Sequence, residues 1–376
     1  MKTILVVLGT RPEAIKLAPV IWALKAYDGY RVLVCNTEQQ KELSNQTLGF
    51  FGIVADFNLN VMQHNQTLAE VQSRILLALT KIYAENEIDA TVVQGDTMTV
   101  LCGALASFYK NVPVFHVEAG LRSYNLFEPF PEEAMRQMTS RITELHFAPT
   151  VVAVNALKKE GILEEKIFLT GNTSIDALNS LPVSTIRAAT QKLSRAGINL
   201  NDRLVLVTVH RRENHGARLT RILRAIVALA DRFTDHQFVV PVHPNPNVHD
   251  QVYATLGKIS NVVLTKPMDY PELVCMMENA KLVLTDSGGV QEEAPTFGVP
   301  VLVLRYETER KEGIDAGFAE LVGADADRIV SRSNEILSRP KSESRKDGSR
   351  NPYGDGKASK RIVSAIGIYF KKENDK

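Results

Sequence analysis

The sequence of 376 residues contains only three cysteines, a single tryptophan and no long apolar run. Cys35, Cys102 and Cys275 stand far apart in apolar surroundings and lack the spacing of metal ligands, so we expect reduced thiols in a cytoplasmic protein. No run approaches the length of a membrane span, so we expect no contact with membranes. The first apolar run, Ile4–Leu8, is too short for a secretory signal and has no cleavage site after it. It predicts a buried strand instead.

An excess of charge is also missing. Lys and Arg number 44 against 43 Asp and Glu, which gives a formal charge of +1. No global field therefore attracts nucleic acid, and any basic residue that matters must act locally. The G-x-G-x-x-G fingerprint does not follow the first strand, which argues against a nicotinamide or flavin cofactor. H-E-x-x-H and similar spacings are missing too, so we expect no metal.

Apolar runs alternate with amphipathic segments along the chain, which predicts an α/β fold with parallel sheets covered on both faces. The predicted strands of the first half are Ile4–Leu8, Val32–Cys35, Thr91–Val93, Val114–Val117 and His146–Ala148. Those of the second half are Leu204–Val209, Gln237–Val242, Asn261–Leu264, Leu282–Leu284 and Val301–Leu304. The length and pattern indicate two doubly wound, Rossmann-like domains, residues 1–170 and 171–356, and a helix within 357–376. Ligands of such domains bind at the carboxyl ends of the strands, so we expect the active site in the interdomain cleft.

The most informative stretch is the glycine turn that follows the strand Leu282–Leu284. Ser287, Gly288 and Gly289 would present backbone N–H groups at the start of a helix, where a phosphate is stabilised. Glu293 lies within two helical turns of that point, in reach of a ribose hydroxyl. The alternative is an ordinary turn whose glycines serve a positive φ.

Carboxylates and cations follow other predicted strands. Asp96 and Glu118 stand at two strand ends, and Glu132 comes from a later loop, with Arg136 just beyond on a helix. Single carboxylates often only cap helices. Three carboxylates that converge on one cleft raise each other's pKa, however. Such a cluster requires a nearby cation or a function.

Basic residues and histidines complete the predicted cleft. Arg11 follows the first strand, and Lys16 lies one or two turns into the next helix, so both can reach a phosphate. His210 and His243 end two strands of the second half. The arginines next to His210 would repel a divalent cation, so phosphate contact is a better interpretation than metal ligation.

Nine motifs occur in order along the chain: GTRPEAIKLAP, QGDT, HVEAGLRS, PFPEEAMR, LTGNTSIDAL, VTVHRRENHG, PVHPNPNV, TDSGGVQEEAP and NPYGDG. Together they resemble the bacterial non-hydrolysing UDP-N-acetylglucosamine 2-epimerases. This resemblance implies a glycosyltransferase-B-like fold whose C-terminal helix, within 357–376, packs back on the first domain. It implies interconversion of UDP-N-acetylglucosamine and UDP-N-acetylmannosamine, without a metal or other cofactor, through elimination of UDP to 2-acetamidoglucal. A homodimer and a role in capsule or other surface-polysaccharide synthesis are implied as well.

The resemblance also implies roles for the residues singled out above. The catalytic set would be Asp96, Glu118, Glu132, Lys16 and His210. The substrate-binding set would be Arg11, Arg136, Ser287, Gly288, Gly289 and Glu293. Epimerisation removes a proton from one face of C2 and adds one to the other face, so we expect at least two of the carboxylates to exchange acid and base roles.

One part of the family pattern is altered. Some relatives bind a second UDP-N-acetylglucosamine as an obligatory activator, through a Gln-His pair and a later Arg. Here Gln40 replaces the His and Asn65 stands where that Arg is found, while Gln39, Gln66 and His243 remain. An activator site at these three residues is therefore an open expectation.

Three other functions remain open on the sequence alone. A hydrolysing epimerase would release free N-acetylmannosamine and UDP, but its relatives usually lack the continuation found at Pro12–Lys16. A glycosyltransferase on the same fold would need an acceptor site, and fold alone does not exclude it. A nucleotide-sugar sensor would not need Asp96, Glu118 and Glu132 together.

Overall fold

Two parallel sheets organise the chain. The structure is a computed structural model that describes residues 1–63, 66–341 and 351–374. The chain divides into unit 1, Met1–Ser180 with Tyr353–Lys376, and unit 2, Leu181–Pro352.

The sheet of unit 1 has seven parallel strands in the order β3-β2-β1-β4-β5-β6-β7. They are β1 (Lys2–Leu8), β2 (Tyr30–Asn36), β3 (Phe57–Asn58), β4 (Ala90–Gln94), β5 (Val114–Val117), β6 (Leu145–Ala148) and β7 (Ile167–Leu169). The register places Ile4 between Val32 and Ala90. The central strands are buried on both faces, which accounts for their continuous apolar sequence.

Helices cover this sheet. They are α1 (Arg11–Lys25), α2 (Lys41–Phe50), α3 (Leu68–Glu85), α4 (Met98–Tyr109), α5 (Glu132–Arg141), α6 (Val151–Lys159) and α7 (Thr173–Asn179), with a 3-10 turn at Glu164–Lys166. Apolar side chains of α3 and α4, such as Ile75 and Leu101, pack with those of the strands in one core.

Unit 2 repeats the plan with six parallel strands in the order β10-β9-β8-β11-β12-β13. The strands are β8 (Leu204–Thr208), β9 (Gln237–Pro241), β10 (Val262–Thr265), β11 (Leu282–Thr285), β12 (Val301–Val303) and β13 (Ala319–Leu321). The helices are α8 (Val183–Arg195), α9 (Ala217–Arg232), α10 (Pro246–Leu256), α11 (Tyr270–Asn279), α12 (Gly288–Glu293), α13 (Lys311–Asp315) and α14 (Ala326–Leu337), with 3-10 turns at Arg212–Asn214 and Ala294–Phe297. Its core is formed by the strands with α9, α10 and α14.

The chain returns to unit 1 for its C-terminal helix, α15 (Ala358–Asn374), which lies against α1 and α7. Buried Asp176 accepts the N–H groups of Ala358 and Ser359 at 3.0 and 2.8 Å and so fastens the start of α15. Near its other end, the Phe370 ring meets the Phe115 ring of β5 at 6.1 Å. The division after Ser180 comes later than the predicted residue 170 because α7 packs on α1.

The two doubly wound sheets confirm the predicted fold class. The short edge strands β3, β7 and β13 were not predicted, because two or three residues are too few to show an alternating pattern. In each sheet the strand order reverses at one point, between β1 and β4 in unit 1 and between β8 and β11 in unit 2. Ligands of doubly wound folds bind at such points. Within the described ranges, no helix combines the length and apolar character that crossing a membrane requires.

Candidate active site

In unit 1, charged residues gather at the carboxyl ends of three neighbouring strands. Arg11 is the first residue of α1 after β1, Asp96 stands two residues after β4, and Glu118 directly follows β5. Because parallel strands end at the same edge of their sheet, these side chains share one edge.

A buried ion pair joins Lys16 Nζ, on α1, to Glu118 Oε2. Each of the two side chains is only 6% exposed. Glu118 has a backbone φ of 64°, in the left-handed region that residues other than glycine rarely adopt. Strained backbone of this kind clusters at functional sites. The pair therefore combines a buried carboxylate–cation contact with strained backbone, two features expected of a catalytic carboxylate and its cation.

A second pair joins Asp96 to Arg136 of α5, with 3.0 Å between Oδ2 and Nη2. Arg136 Nε also lies 3.5 Å from Oε2 of buried Glu133. Glu133 in turn accepts the N–H groups of Ser123 and Tyr124 at 2.9 and 3.1 Å, so it holds the preceding loop as well. Asp96 keeps 26% of its side chain exposed, whereas Arg136 keeps 3%. Asp96 is thus the member of this pair that a substrate can reach.

Glu132 begins α5 and is partly buried. It precedes Arg136 by one helical turn, and residues at this spacing share a helix face. A second carboxylate therefore lies on the side of α5 that carries the partner of Asp96. The N–H of Arg11 donates to Gln40 Oε1 at 3.1 Å, which links the β1 loop to the β2 loop.

Two of the residues predicted for an activator site, Gln39 and Gln66, have separate partners in unit 1, and the third, His243, belongs to unit 2. Gln39 Oε1 accepts from the N–H and the hydroxyl of Thr99 at 3.2 and 2.8 Å, at the start of α4. Gln66 Oε1 accepts from the Arg74 guanidinium, near the start of α3. Asn65 lies outside the described residues. The activator site stays a prediction.

Glu13 is a buried carboxylate that the sequence analysis did not single out. Its Oε2 accepts the N–H groups of Gly9 and Thr10 at 2.7 and 3.0 Å, and its Oε1 accepts the Thr97 hydroxyl at 2.5 Å. Burial raises the pKa of Glu13 to about 7; these hydrogen bonds lower the pKa, and the charge of Asp96 adds to the rise. The Thr-x-x-Glu spacing of a capping box was the available signal. Glu13 ties the β1 loop to the residue beside Asp96.

We expect Glu13→Gln to change how stability depends on pH. The unfolded chain releases this proton near pH 4.5 and the folded protein near pH 7. Between these values unfolding releases a proton, so the free energy of unfolding falls as pH rises. The contribution is fully present below the unfolded pKa and is lost above the folded one, a change of about 3 kcal/mol. Gln can accept the same N–H groups but does not titrate.

The comparison must be made between parent and variant because His116 and His146 act in the opposite direction. Burial lowers the pKa of His116 to about 3 and that of His146 to about 4, so their contributions to stability grow as pH rises toward 6.5. Between about pH 5 and about pH 8, urea unfolding should show the stability of the variant rising by about 2.5 kcal/mol relative to that of the parent. A difference that does not change with pH would contradict a raised pKa at Glu13.

In unit 2, His210 lies just beyond β8 and faces Asp286, which follows β11. Asp286 is fully buried, and its oxygens accept the N–H of His210 at 3.1 and 3.0 Å and the N–H of Arg211 at 2.9 Å. The Nδ1 atom of His210 is 3.3 Å from Asp286 Oδ1, and 37% of its side chain remains exposed. The ring of His243 stacks on that of His210, with centroids 5.8 Å apart and planes at 18°. Burial lowers the pKa of both histidines, and the charge of Asp286 opposes this shift.

The predicted phosphate-binding turn precedes a short helix, since α12 runs only from Gly288 to Glu293. The N–H of Ser287 was expected to be available to a ligand, but it donates to the hydroxyl of the last residue of β11 at 2.9 Å. This contact forms because the side chain of Thr285 folds back over the turn. Neither Gly288 nor Gly289 has a positive φ, so neither glycine serves an unusual backbone conformation. Glu293 is buried within α12.

Arg310, a cation missed in the sequence, lies against this turn. Its Nε donates to Glu292 Oε1 at 2.7 Å, and its Nη1 donates to Glu309. A Cβ atom added to Gly288 would lie 2.4 Å from the guanidinium carbon of Arg310. Gly288 therefore makes room for a buried guanidinium at the start of α12. Arg310 stands well beyond the end of β12, so no strand-end pattern marks it.

Comparison with known proteins agrees with the resemblance drawn from the motifs. The sequence matches the family model described as UDP-N-acetylglucosamine 2-epimerase over residues 23–367. The UDP-N-acetylglucosamine 2-epimerase of Neisseria meningitidis is 42% identical over 367 residues, which cover 96% of this chain and 98% of that protein. The enzyme of the same description from Salmonella typhimurium is 44% identical over 370 residues, covering 97% and 98%.

Solved structures are similar over their full length. A crystal structure of the Neisseria meningitidis enzyme bound to UDP-GlcNAc superimposes with a TM-score of 0.93 at 42% identity, covering 98% of this chain and 100% of that one. The Methanocaldococcus jannaschii enzyme in complex with UDP-GlcNAc and UDP has a TM-score of 0.85 at 33% identity, with the same coverage of 98% and 100%. Sequence, motifs and fold agree, and the chain belongs to the UDP-N-acetylglucosamine 2-epimerase family.

Proposed function

We propose that this protein inverts C2 of UDP-N-acetylglucosamine reversibly, giving UDP-N-acetylmannosamine by elimination and re-addition of UDP. Family membership makes it an isomerase that acts on this nucleotide sugar. The observation that carries the mechanism is the pair of carboxylate–cation contacts at one edge of the unit 1 sheet, Glu118 with Lys16 and Asp96 with Arg136.

The chemistry requires such groups because the C2 proton is not acidic in the intact substrate. As the C1–O bond to UDP breaks, its electron pair leaves with UDP and positive charge develops at C1. The C2–H bond then gives its proton to a carboxylate, and its electrons form the C1=C2 bond of 2-acetamidoglucal. Protonation of C2 from the opposite face and return of UDP to C1 give the epimer. Catalysis depends on stabilising the departing diphosphate and on placing bases on both faces of C2.

Unit 1 supplies the acid and base groups in this proposal. Asp96, Glu118 and Glu132 are the candidates for proton transfer at C2. Lys16 pairs with Glu118 and contributes positive charge toward the leaving group, and Arg136 does the same beside Asp96. The strained φ of Glu118 and the partial exposure of Asp96 support these assignments.

Unit 2 supplies contacts to UDP. His210 would contact the diphosphate, together with Arg11 from unit 1. The turn before α12 would approach it through Ser287, Gly288 and Gly289. Glu293, the buried last residue of that helix, would accept a hydrogen bond from a ribose hydroxyl. The ligand-bound state of the Neisseria meningitidis enzyme, whose sequence is 42% identical, supports a UDP-sugar site in this chain. That both units serve one substrate in a cleft remains part of the proposal.

Proton NMR in deuterated water tests the proposal directly. The purified protein is mixed with UDP-N-acetylglucosamine, and the anomeric signals and the deuterium content at C2 are followed. Elimination and re-addition should produce UDP-N-acetylmannosamine that carries deuterium at C2, without free sugar. Accumulation of free N-acetylmannosamine would instead assign the hydrolysing reaction. An absence of both product and exchange while UDP still binds would overturn the epimerase assignment in favour of a transferase or a sensor.

We further propose a homodimer. Three neighbouring helices of unit 1 leave large apolar side chains in solvent: Leu77 of α3 is 67% exposed, Phe108 of α4 52% and Met138 of α5 50%. A second copy of the chain would cover this apolar surface. Light scattering that returns the mass of one chain would contradict this.

The remaining proposals concern regulation, location and pathway. A second UDP-N-acetylglucosamine acting as activator through Gln39, Gln66 and His243 would make the initial rate sigmoidal in substrate, and a hyperbolic rate would contradict it.

Buried, unpaired Cys35 and Cys102, whose pKa values burial raises to about 12, support the cytoplasm as the site of action. The product would supply a surface polysaccharide such as capsule, so deletion of the gene should remove N-acetylmannosamine-derived sugar from the cell surface.

A further inference from the structure

Asp286 is the centre of a buried network around His210. Besides the two backbone N–H groups described above, its Oδ2 accepts from Asn214 Nδ2 at 3.0 Å. The same amide nitrogen also donates to the carbonyl of Leu304, just beyond β12, at 3.0 Å. Three donors therefore hold Oδ2, while Oδ1 shares the His210 N–H at 3.1 Å and lies 3.3 Å from Nδ1 of the His210 ring. The orientation of this carboxylate is fixed by the fold of unit 2.

A carboxylate fixed beside one ring nitrogen determines where the histidine carries its proton. An oxygen at Nδ1 accepts from Nδ1–H and leaves the Nε2 lone pair available. The stacked ring of His243 covers one face of the His210 imidazole and opposes its rotation. In this state the ring can take up a second proton at Nε2 without losing its first contact.

We propose that Asp286 is a positioning residue, which keeps the first proton of His210 on Nδ1 so that the ring gains a second proton, from water, at Nε2 when a diphosphate binds. This rests on the proposed function, in which His210 meets the diphosphate of UDP. The resulting imidazolium donates from Nε2 to the diphosphate and faces the negative charge that grows as the C1–O bond breaks. Asp286 balances the positive charge from the other side of the ring.

Ring NMR of protein labelled with ¹⁵N-histidine gives the test, with free UDP as the probe. The chain has 8 histidines, and the signal that disappears in His210→Gln assigns His210. In the parent we expect a neutral ring with its proton on Nδ1, which becomes doubly protonated when UDP is added. In Asp286→Asn the amide can keep the backbone contacts and turn its NH₂ toward Nδ1. The His210 proton should then move to Nε2, the ring should stay neutral with UDP, and kcat should fall by about 100-fold or more.

Asp176→Asn is the matched control. Asp176 is also a buried carboxylate that accepts two backbone N–H groups, those of Ala358 and Ser359, but in unit 1 and without a histidine beside it. We expect this variant to show the parent's His210 spectrum and the parent's kcat. A change of the same kind in both variants would mean that the loss of any buried carboxylate disturbs the protein, which overturns the specific role of Asp286.

The parent spectrum decides the matter even if Asp286→Asn does not fold. A His210 ring that carries its proton on Nε2 without UDP, or that stays neutral with UDP bound, overturns the proposal. So does an Asp286→Asn variant whose ring spectrum and kcat match the parent. The spectra do not depend on turnover, so a protein that binds UDP but exchanges no proton at C2 would contradict the proposed function and leave the test of Asp286 intact.

Discussion

Replacing Asp96 with Asn should lower kcat for epimerisation by about 100- to 10,000-fold, the usual contribution of a group that transfers a proton. UDP affinity and the thermal midpoint should stay close to those of the parent. Asn has the same shape, and Arg136 keeps Glu133 as a partner at 3.5 Å, so no buried cation is left without an anion. Deuterium incorporation at C2, calorimetric titration with UDP and thermal unfolding measure the three quantities separately.

Glu144→Gln is the control for this variant. Glu144 forms a comparable surface ion pair with Lys166 at 2.8 Å in the same unit, and both side chains are 35% exposed. Its loss should leave turnover unchanged. Parental turnover in Asp96→Asn would remove Asp96 from the catalytic set. Glu118→Gln is a less direct test, because it also removes the anion paired with buried Lys16.

Gly288→Ala should lower the free energy of unfolding of unit 2 by about 3 kcal/mol, the cost of breaking a buried ion pair. The new Cβ would lie within 2.4 to 2.7 Å of three atoms of the Arg310 guanidinium. That group is held by Glu292 and Glu309 in a buried network, so it cannot withdraw without leaving both carboxylates. Hydrogen–deuterium exchange of peptides that contain β11 and β12 reports the stability of this region.

Gly289→Ala provides the matched comparison one residue further on. A Cβ at this position meets nothing within 4 Å, and the residue has no positive φ. Alanine within a helix is favoured over glycine by roughly 0.5 to 1 kcal/mol, so we expect equal or slightly slower exchange than in the parent. Equal effects of the two substitutions would show that the Arg310 side chain moves aside at little cost. Stability is the readout because both glycines are proposed to contact phosphate.

The sequence predicts the residues at the strand ends but not their partners. A parallel α/β pattern places Asp96, Glu118 and His210 at the edges where ligands bind, and the structure agrees with each position. Their catalytic roles stay predictions. The pairing of Lys16 with Glu118 spans 102 positions, and no spacing rule links residues so far apart. The same limit hides the contact of His210 with Asp286, which joins two different strands.

The strand-end pattern also does not show the hydrogen bonds and burial of individual residues near the site. The Ser287 N–H, which a glycine-rich turn leads one to assign to phosphate, is taken up within the turn. Arg310 comes from a connection without periodicity and reaches the turn only through the folded unit. For Glu13 the sequence does carry a signal, the capping-box spacing from Thr10. The spacing does not indicate that the carboxylate is buried.

The passage of the chain through unit 2 before α15 bears on how the protein is made. A ribosome releases residues of unit 1 up to Ser180 well before the helix that completes this unit. Until α15 emerges, the apolar surface that its Phe370 covers on Phe115 stays open to water or to a chaperone. Unit 2 is continuous in sequence, so all of its residues are made before those of α15. Synthesis of unit 1, which is proposed to carry the catalytic carboxylates, thus starts before that of unit 2 and is completed after it.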